Sequence, residues 1–150
     1  MTSLSAVRDA VKARLDGQAI AGLNVNDTWP NEIYFPSGGG CACIVNVVGV
    51  QYGQVFGASD RSVVNIELHL FVVLAGGMPN AQDNLDPYIS NTGAQSVLQA
   101  FRADPYLGST VYYCLPPSEV RDYGVKEIGP PGREVWLLGA IIPLEIHVGA

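Results

Sequence analysis

The chain has 150 residues, of which 48% are hydrophobic and only 15% charged; that suits one domain, spanning 1–150, with a full core. Its formal net charge is −6 and its 8 Lys and Arg residues do not cluster, so it is a poor candidate for gripping a phosphate backbone, where basic side chains do most of the work. Charge this sparse is low for a monomer that must stay soluble, and it predicts that some surface is buried against other subunits.

The cysteines are Cys41, Cys43 and Cys114. An odd count outside a disulfide-rich frame predicts reduced thiols in a product made in the cytosol. Residues 3–16 carry charges throughout, so they are not read as a secretory leader. The longest apolar run, Ala140 to Leu144, is short and contains Pro143, so no membrane span is expected.

In chain order, residues 3–16 predict an amphipathic helix. Leu4, Val7, Val11 and Leu15 share a face, Ser3 is the expected cap and Gly17 the stop. Residues 18–40 read as irregular, with a short extended piece within Val25–Ile33 and a turn or edge at Trp29-Pro30. The glycines at 38–40 lack the Lys-Ser/Thr of a phosphate loop, and a strand rather than a helix follows them. Residues 42–50 predict a strand covered on both faces. The stretch 51–60 reads as a glycine-rich loop holding out Tyr52, Gln54, Val55 and Phe56.

Residues 61–75 predict the longest clear strand, with Val64, Ile66, Leu68, Leu70, Val72 and Leu74 on one face and Asn65, Glu67, His69, Phe71 and Val73 on the other. The second face is polar for half its length, so it meets solvent, a cavity or another subunit there. Residues 76–84 read as a loop. A helix is expected to begin at Asp86-Pro87 and to run down an apolar stripe at Ile89, Gly93, Val97 and Phe101. Asp104-Pro105 ends it, Leu107 folds back onto its last turn, and Gly108 supplies a left-handed turn into a strand at 109–115.

Pro116-Pro117 breaks that strand, and a short one around Val120–Val125 follows. The last strand is expected over 133–148, with Trp136, Leu138, Ala140, Ile142, Leu144, Ile146 and Val148 on one face. Pro143 cannot donate to a ladder, which predicts a bulge or an edge there, and Gly139 invites a bend. The expected fold is α+β, with a mainly antiparallel sheet and two helices packed mostly on one face.

Reactive side chains are few. Cys41-x-Cys43 puts two sulfurs on one strand face, and Cys114, His69 and His147 complete a scattered set of metal donors. A single CxC is a weak zinc signal, so the expectation is buried thiols, two hydrogen-bonded strand histidines and no metal or cofactor. Glu67 and His69 share a face, yet no serine or cysteine stands on a nucleophile elbow. The pair reads as a polar interface patch, and Asp83, Asp86 and Asp104 as helix-end residues. No catalytic residue is assigned.

The run Leu85-Asp86-Pro87-Tyr88-Ile89, then Gly93-Ala94, Ser96-Val97 and Asp104-Pro105-Tyr106-Leu107-Gly108, resembles the central segment of tail-terminator proteins of long-tailed bacteriophages, especially those of actinobacteria. The order around it is similar too: an amphipathic first helix, a Gly22-Leu23-Asn24-Val25 piece, a strand at Cys43–Val50, then Tyr123-Gly124, Gly129 and a closing Val135-Trp136-Leu137-Leu138-Gly139-Ala140. Tyr106, where many relatives carry a small residue, and Pro130-Pro131 depart from the pattern without threatening the fold. The resemblance implies a structural virion protein of the neck, assembled in the host cytoplasm as a ring, usually a hexamer. Such a ring caps the tail-tube protein, ends tube polymerisation and meets the head-side connector or stopper protein, while genomic DNA passes through its lumen without specific binding. Loop position and residue type nominate Tyr52, Gln54, Val55, Phe56, Glu119, Arg121, Asp122, Tyr123 and Lys126 as interface residues. Two alternatives are a head-closure or connector protein of the same neck, and a cytosolic small-ligand-binding protein or small enzyme.

Overall fold

A computed structural model describes residues 3–30, 32–36, 40–52, 62–74, 77–129, 131–132 and 134–149. The first helix, α1 (Leu4–Gly17), starts where Ser3 Oγ accepts the Ala6 amide at 3.1 Å, and it buries Val7, Ala10, Val11 and Leu15. Next come the strands β1 (Leu23–Asn26), β2 (Cys41–Tyr52) and β3 (Ser62–Val73), and the helices α2 (Met78–Ile89) and α3 (Val97–Ala103). The chain closes with β4 (Tyr113–Leu115), β5 (Arg121–Ile128) and β6 (Val135–Val148).

The strands form one sheet in the order β1-β2-β3-β6-β4, and β5 pairs with β6 as well. All pairings are antiparallel except β1 with β2. The fold is therefore α+β with a sheet-dominated core, as the strand–helix–strand order predicts. The backbone of the sheet is the β3–β6 ladder, unbroken from Ser62↔Val148 to Val73↔Leu137. One face of it, carrying Val64, Ile66, Leu68, Leu70 and Val72 with Leu138, Ala140, Ile142, Leu144 and Ile146, packs under all three helices. The other face holds a small cluster of Ile44, Phe71 and Leu137, flanked by Ile33, Phe35, Val73 and Ile128, to which no helix contributes.

The helical region differs from expectation, with three helices among the described residues in place of two. The stripe Ile89–Gly93–Val97–Phe101 does not lie on one helix. Ser90 turns extended (ψ 150°) and ends α2, Gly93 sits at φ +111°, and Ser96 opens α3 by accepting the Gln99 amide. Asp86-Pro87 is not a helix start: α2 begins at Met78 inside the supposed loop, with Pro79 in its first turn and Pro87 near its end. Buried Ala81, Leu85 and Tyr88 explain this, because their four- and three-residue spacing is the helix period. Their small number against so many polar neighbours hid the pattern.

Leu107 does fold back, buried at φ +48°, and Gly108 takes the left-handed turn at φ +67°. The strand that follows is only Tyr113–Leu115, because residues 109–112 are still turning. The supposedly irregular 18–40 stretch contains β1, which lies parallel to β2 from Leu23↔Cys41 to Asn26↔Ile44. Coverage of β2 is accordingly uneven: Cys41–Val45 are buried, whereas the rest is half-buried or exposed. The strand expected around Val120–Val125 runs from Arg121 to Ile128, and Trp136 is exposed at the start of β6.

Pro143 lies neither at an edge nor in a bulge. On one side it pairs with Glu67 in register. On the other side β5 pairs no further than Ile141 and β4 begins only at Glu145, so Pro143 sits in the gap between two short strands. A residue without an amide is tolerated in a central strand where no neighbour needs one. Gly139 also has a packing role: a Cβ there would stand 2.8 Å from Phe71 Cδ1 and 3.1 Å from Lys126 Cγ. The Phe71 ring lies across its cross-strand partner Gly139.

Candidate interaction surface

Three helices cover one side of the sheet, and the residues with polar chemistry lie on the other. Strand alternation puts Asn65, Glu67, His69 and Phe71 on that side of β3, and Pro143, Glu145 and His147 on that side of β6. Trp29, from the segment after β1, packs edge-on against His69 with ring centroids 5.1 Å apart, and Phe71 lies 6.3 Å from Trp29. These rings close one end of the face. The far end, at Val63, is buried as well, so the partly exposed stretch lies between the two ends, at Asn65, Glu67 and Pro143.

Glu67 is the hub of the open part. One carboxylate oxygen accepts from the Arg121 guanidinium of β5, and the other meets His69 Nε2 at 3.2 Å. The Glu67 and His69 side chains are only 17% and 16% exposed, while Arg121 is 45% exposed. Desolvation holds the His69 pKa below its ordinary value. The Glu67 bond and charge oppose that shift, and the Lys126 and Arg121 charges reinforce it. Neutral imidazole therefore dominates at neutral pH, with Nε2–H donating to Glu67.

Two open concavities mark this side. One of about 380 Å³ lies over the gap between β4 and β5 and is lined by Val48, Glu67, Glu119, Arg121, Pro143 and Glu145, among others. Its carboxylates outnumber its single guanidinium. The second, about 390 Å³, is lined by Trp29, His69, Phe71, Lys126 and Ile141.

The sequence-nominated interface residues scatter over this geometry. Arg121 and Glu119 line the first concavity and Lys126 the second. Asp122 is exposed at φ +53°, inside the register shift between Arg121 and Gly124. Tyr123 turns the opposite way, and its hydroxyl donates to Asp86 Oδ1 of α2 at 2.8 Å. Desolvation, together with that carboxylate, lifts the Tyr123 phenol to about 12. Tyr52 ends β2 at 67% exposure, and Gln54, Val55 and Phe56 lie outside the described residues. Sequence reasoning missed Trp29 as part of the surface. Its signal was a large aromatic in a polar, proline-marked stretch, beside a strand with a half-polar face.

The metal-donor residues are dispersed. Cys41 and Cys43 are fully buried on the helix-covered face, opposite His69. His147 pairs with Val63, six residues along β3 from His69, or about 20 Å at ~3.3 Å per residue. Among the described residues no group of three His, Cys, Asp or Glu could hold a metal ion. Burial raises the Cys41 thiol well above its usual value and lifts Cys43 and Cys114 to about 12. No family model matches the chain, and no curated protein sequence matches it.

Proposed function

We propose that this chain is a ring-forming tail terminator of a long-tailed bacteriophage, a structural subunit that caps the tail tube and joins it to the head-side connector. The family is named by the resemblance centred on Leu85–Gly108. The observation that supports the assembly reading is the one-sided sheet: among the described residues its strands bear helices on one face and none on the other, where Asn65, Glu67, Pro143 and His147 are partly exposed and Glu145 exposed. Exposed Trp29, Val48, Leu115 and Val135 accompany it, in a chain with only 15% charged residues. Apolar surface of this extent in a weakly charged chain favours burial in an assembly. The net charge of −6 suits a channel that passes DNA without holding it.

The test is to sediment preformed tail tubes with the protein. A terminator binds tube ends, so the amount bound per mass of tube falls in proportion as the tubes are made longer. Binding proportional to tube mass at every length, or no binding to tubes together with binding to portal or adaptor rings, contradicts the proposal. The second pattern points to a head-closure protein instead.

A further inference from the structure

We infer that copies of this chain join head to tail through their sheet edges, the free part of β2 of one copy pairing antiparallel with β5 of the next. This rests on the ring reading above and names the surfaces that would close the ring. β1 covers only Cys41–Ile44 of β2, so from Val45 to Gln51 that edge of β2 has no strand partner among the described residues. The Cys41 amide donates to the Gly22 carbonyl on the β1 side, and strand alternation turns the Val45 and Val47 amides to the same side.

The margins at β1 and β4 are too short to template a long pairing. β1 has four residues, and β4 has three and is followed by Pro116-Pro117. β2 has neither a charge nor a proline from Cys41 to Tyr52, and it exposes Val48. Its irregularity is the register shift between Val47 and Gly49. An edge this apolar is an association site unless something covers it.

Strand direction and length select the occupant. β2, β3, β6 and β5 alternate in direction along the sheet. A rotation about an axis running roughly along the strands preserves each direction, so the β5 of one copy meets the β2 of the next antiparallel. The outer edge of β5 runs 8 residues, Arg121–Ile128, long enough to pair along Val45–Gln51 of β2. The charged side chains of β5 would face an uncharged strand, with no like-charge opposition. Pairing unlike edges is heterologous, and it closes a ring when the rotation closes.

The experiment reads mass by light scattering over a concentration series, together with residue-resolved amide exchange, on the wild type and on Val48→Lys and Gln51→Lys. Both substitutions lie on exposed β2 positions, and thermal unfolding checks that each variant is folded. The expected wild type is a multiple of 15.9 kDa in which Val45, Val47 and alternate β5 amides exchange slowly. The expected variants fall to 15.9 kDa, with both sets of amides exchanging fast. An oligomer unchanged by both substitutions, an oligomer whose β5 amides stay fast, or a wild type monomeric at every concentration overturns the inference. None of these outcomes decides whether the protein binds tube ends, so the two readings fail separately.

Discussion

At the scale of single residues, Gly139 and His69 give the sharpest tests. A methyl at Gly139 would press on the Phe71 ring, which is 2% exposed and closes the smaller cluster with Ile44 and Leu137. Gly139→Ala is expected to cost about 1–3 kcal/mol in urea unfolding, the usual penalty of overpacking; a change within about 0.5 kcal/mol would mean the ring moves aside freely. His69 is depressed in the folded state, so the unfolded chain binds more protons just below its ordinary pKa of 6.5. Stability from this group is therefore complete above that value and is lost as pH falls toward the lower folded pKa. Unfolding followed between about pH 5 and about 7.5 should show a slope that flattens in His69→Gln, and an unchanged slope would place the titration elsewhere. The three thiols, buried and shifted upward, should resist alkylation at neutral pH until denaturant is added. Rapid native labelling, read by mass, would contradict that burial.

At the scale of elements, the join between α2 and α3 deserves a direct probe. Ser96 is 1% exposed; its hydroxyl donates to the Ser90 carbonyl at 2.5 Å and accepts the Gln99 amide at 3.4 Å. Ser96→Ala removes both bonds, the α3 cap and the tie to the carbonyl of exposed Ser90, so a loss of about 1–2 kcal/mol is expected in thermal or urea unfolding. This join also marks where the sequence was misleading. A four-residue recurrence of Ile89, Gly93, Val97 and Phe101 fits one helix, but a glycine counts toward an apolar stripe only by default, and here it sits at positive φ. The strands were legible because β3 and β6 repeat Val, Ile and Leu every second residue over their full length. β1 was not, since four residues, Leu-Asn-Val-Asn, are too short for period to speak, and their parallel partner lies across a proline- and glycine-rich stretch. Glu67 and His69 were legible as a patch because they share a strand face. Their link to Arg121 and Trp29 depends on β5 and on the segment after β1, which only the tertiary arrangement brings together.

At the scale of the whole molecule, the fold separates two tasks. The helix-covered face holds the main core; Ser96→Ala acts on its helix join, and Gly139→Ala on the smaller cluster of the opposite face. The uncovered face and the free margin of β2 hold the groups available to other chains. Changes at exposed positions there should leave the isolated fold intact: Glu119→Ala, at an exposed position lining the first concavity, is expected to shift stability by no more than about 0.5 kcal/mol. If the terminator reading holds, ring closure and tube capping draw on this exposed side, and a ring interface too weak in dilute solution gains from the tube end by effective concentration. The most direct measurement is electron microscopy of tail-tube protein polymerised with and without this chain. The account predicts tubes that stop growing, each with a ring at one end. Tubes that lengthen without limit, with bare ends in the presence of excess protein, would contradict it.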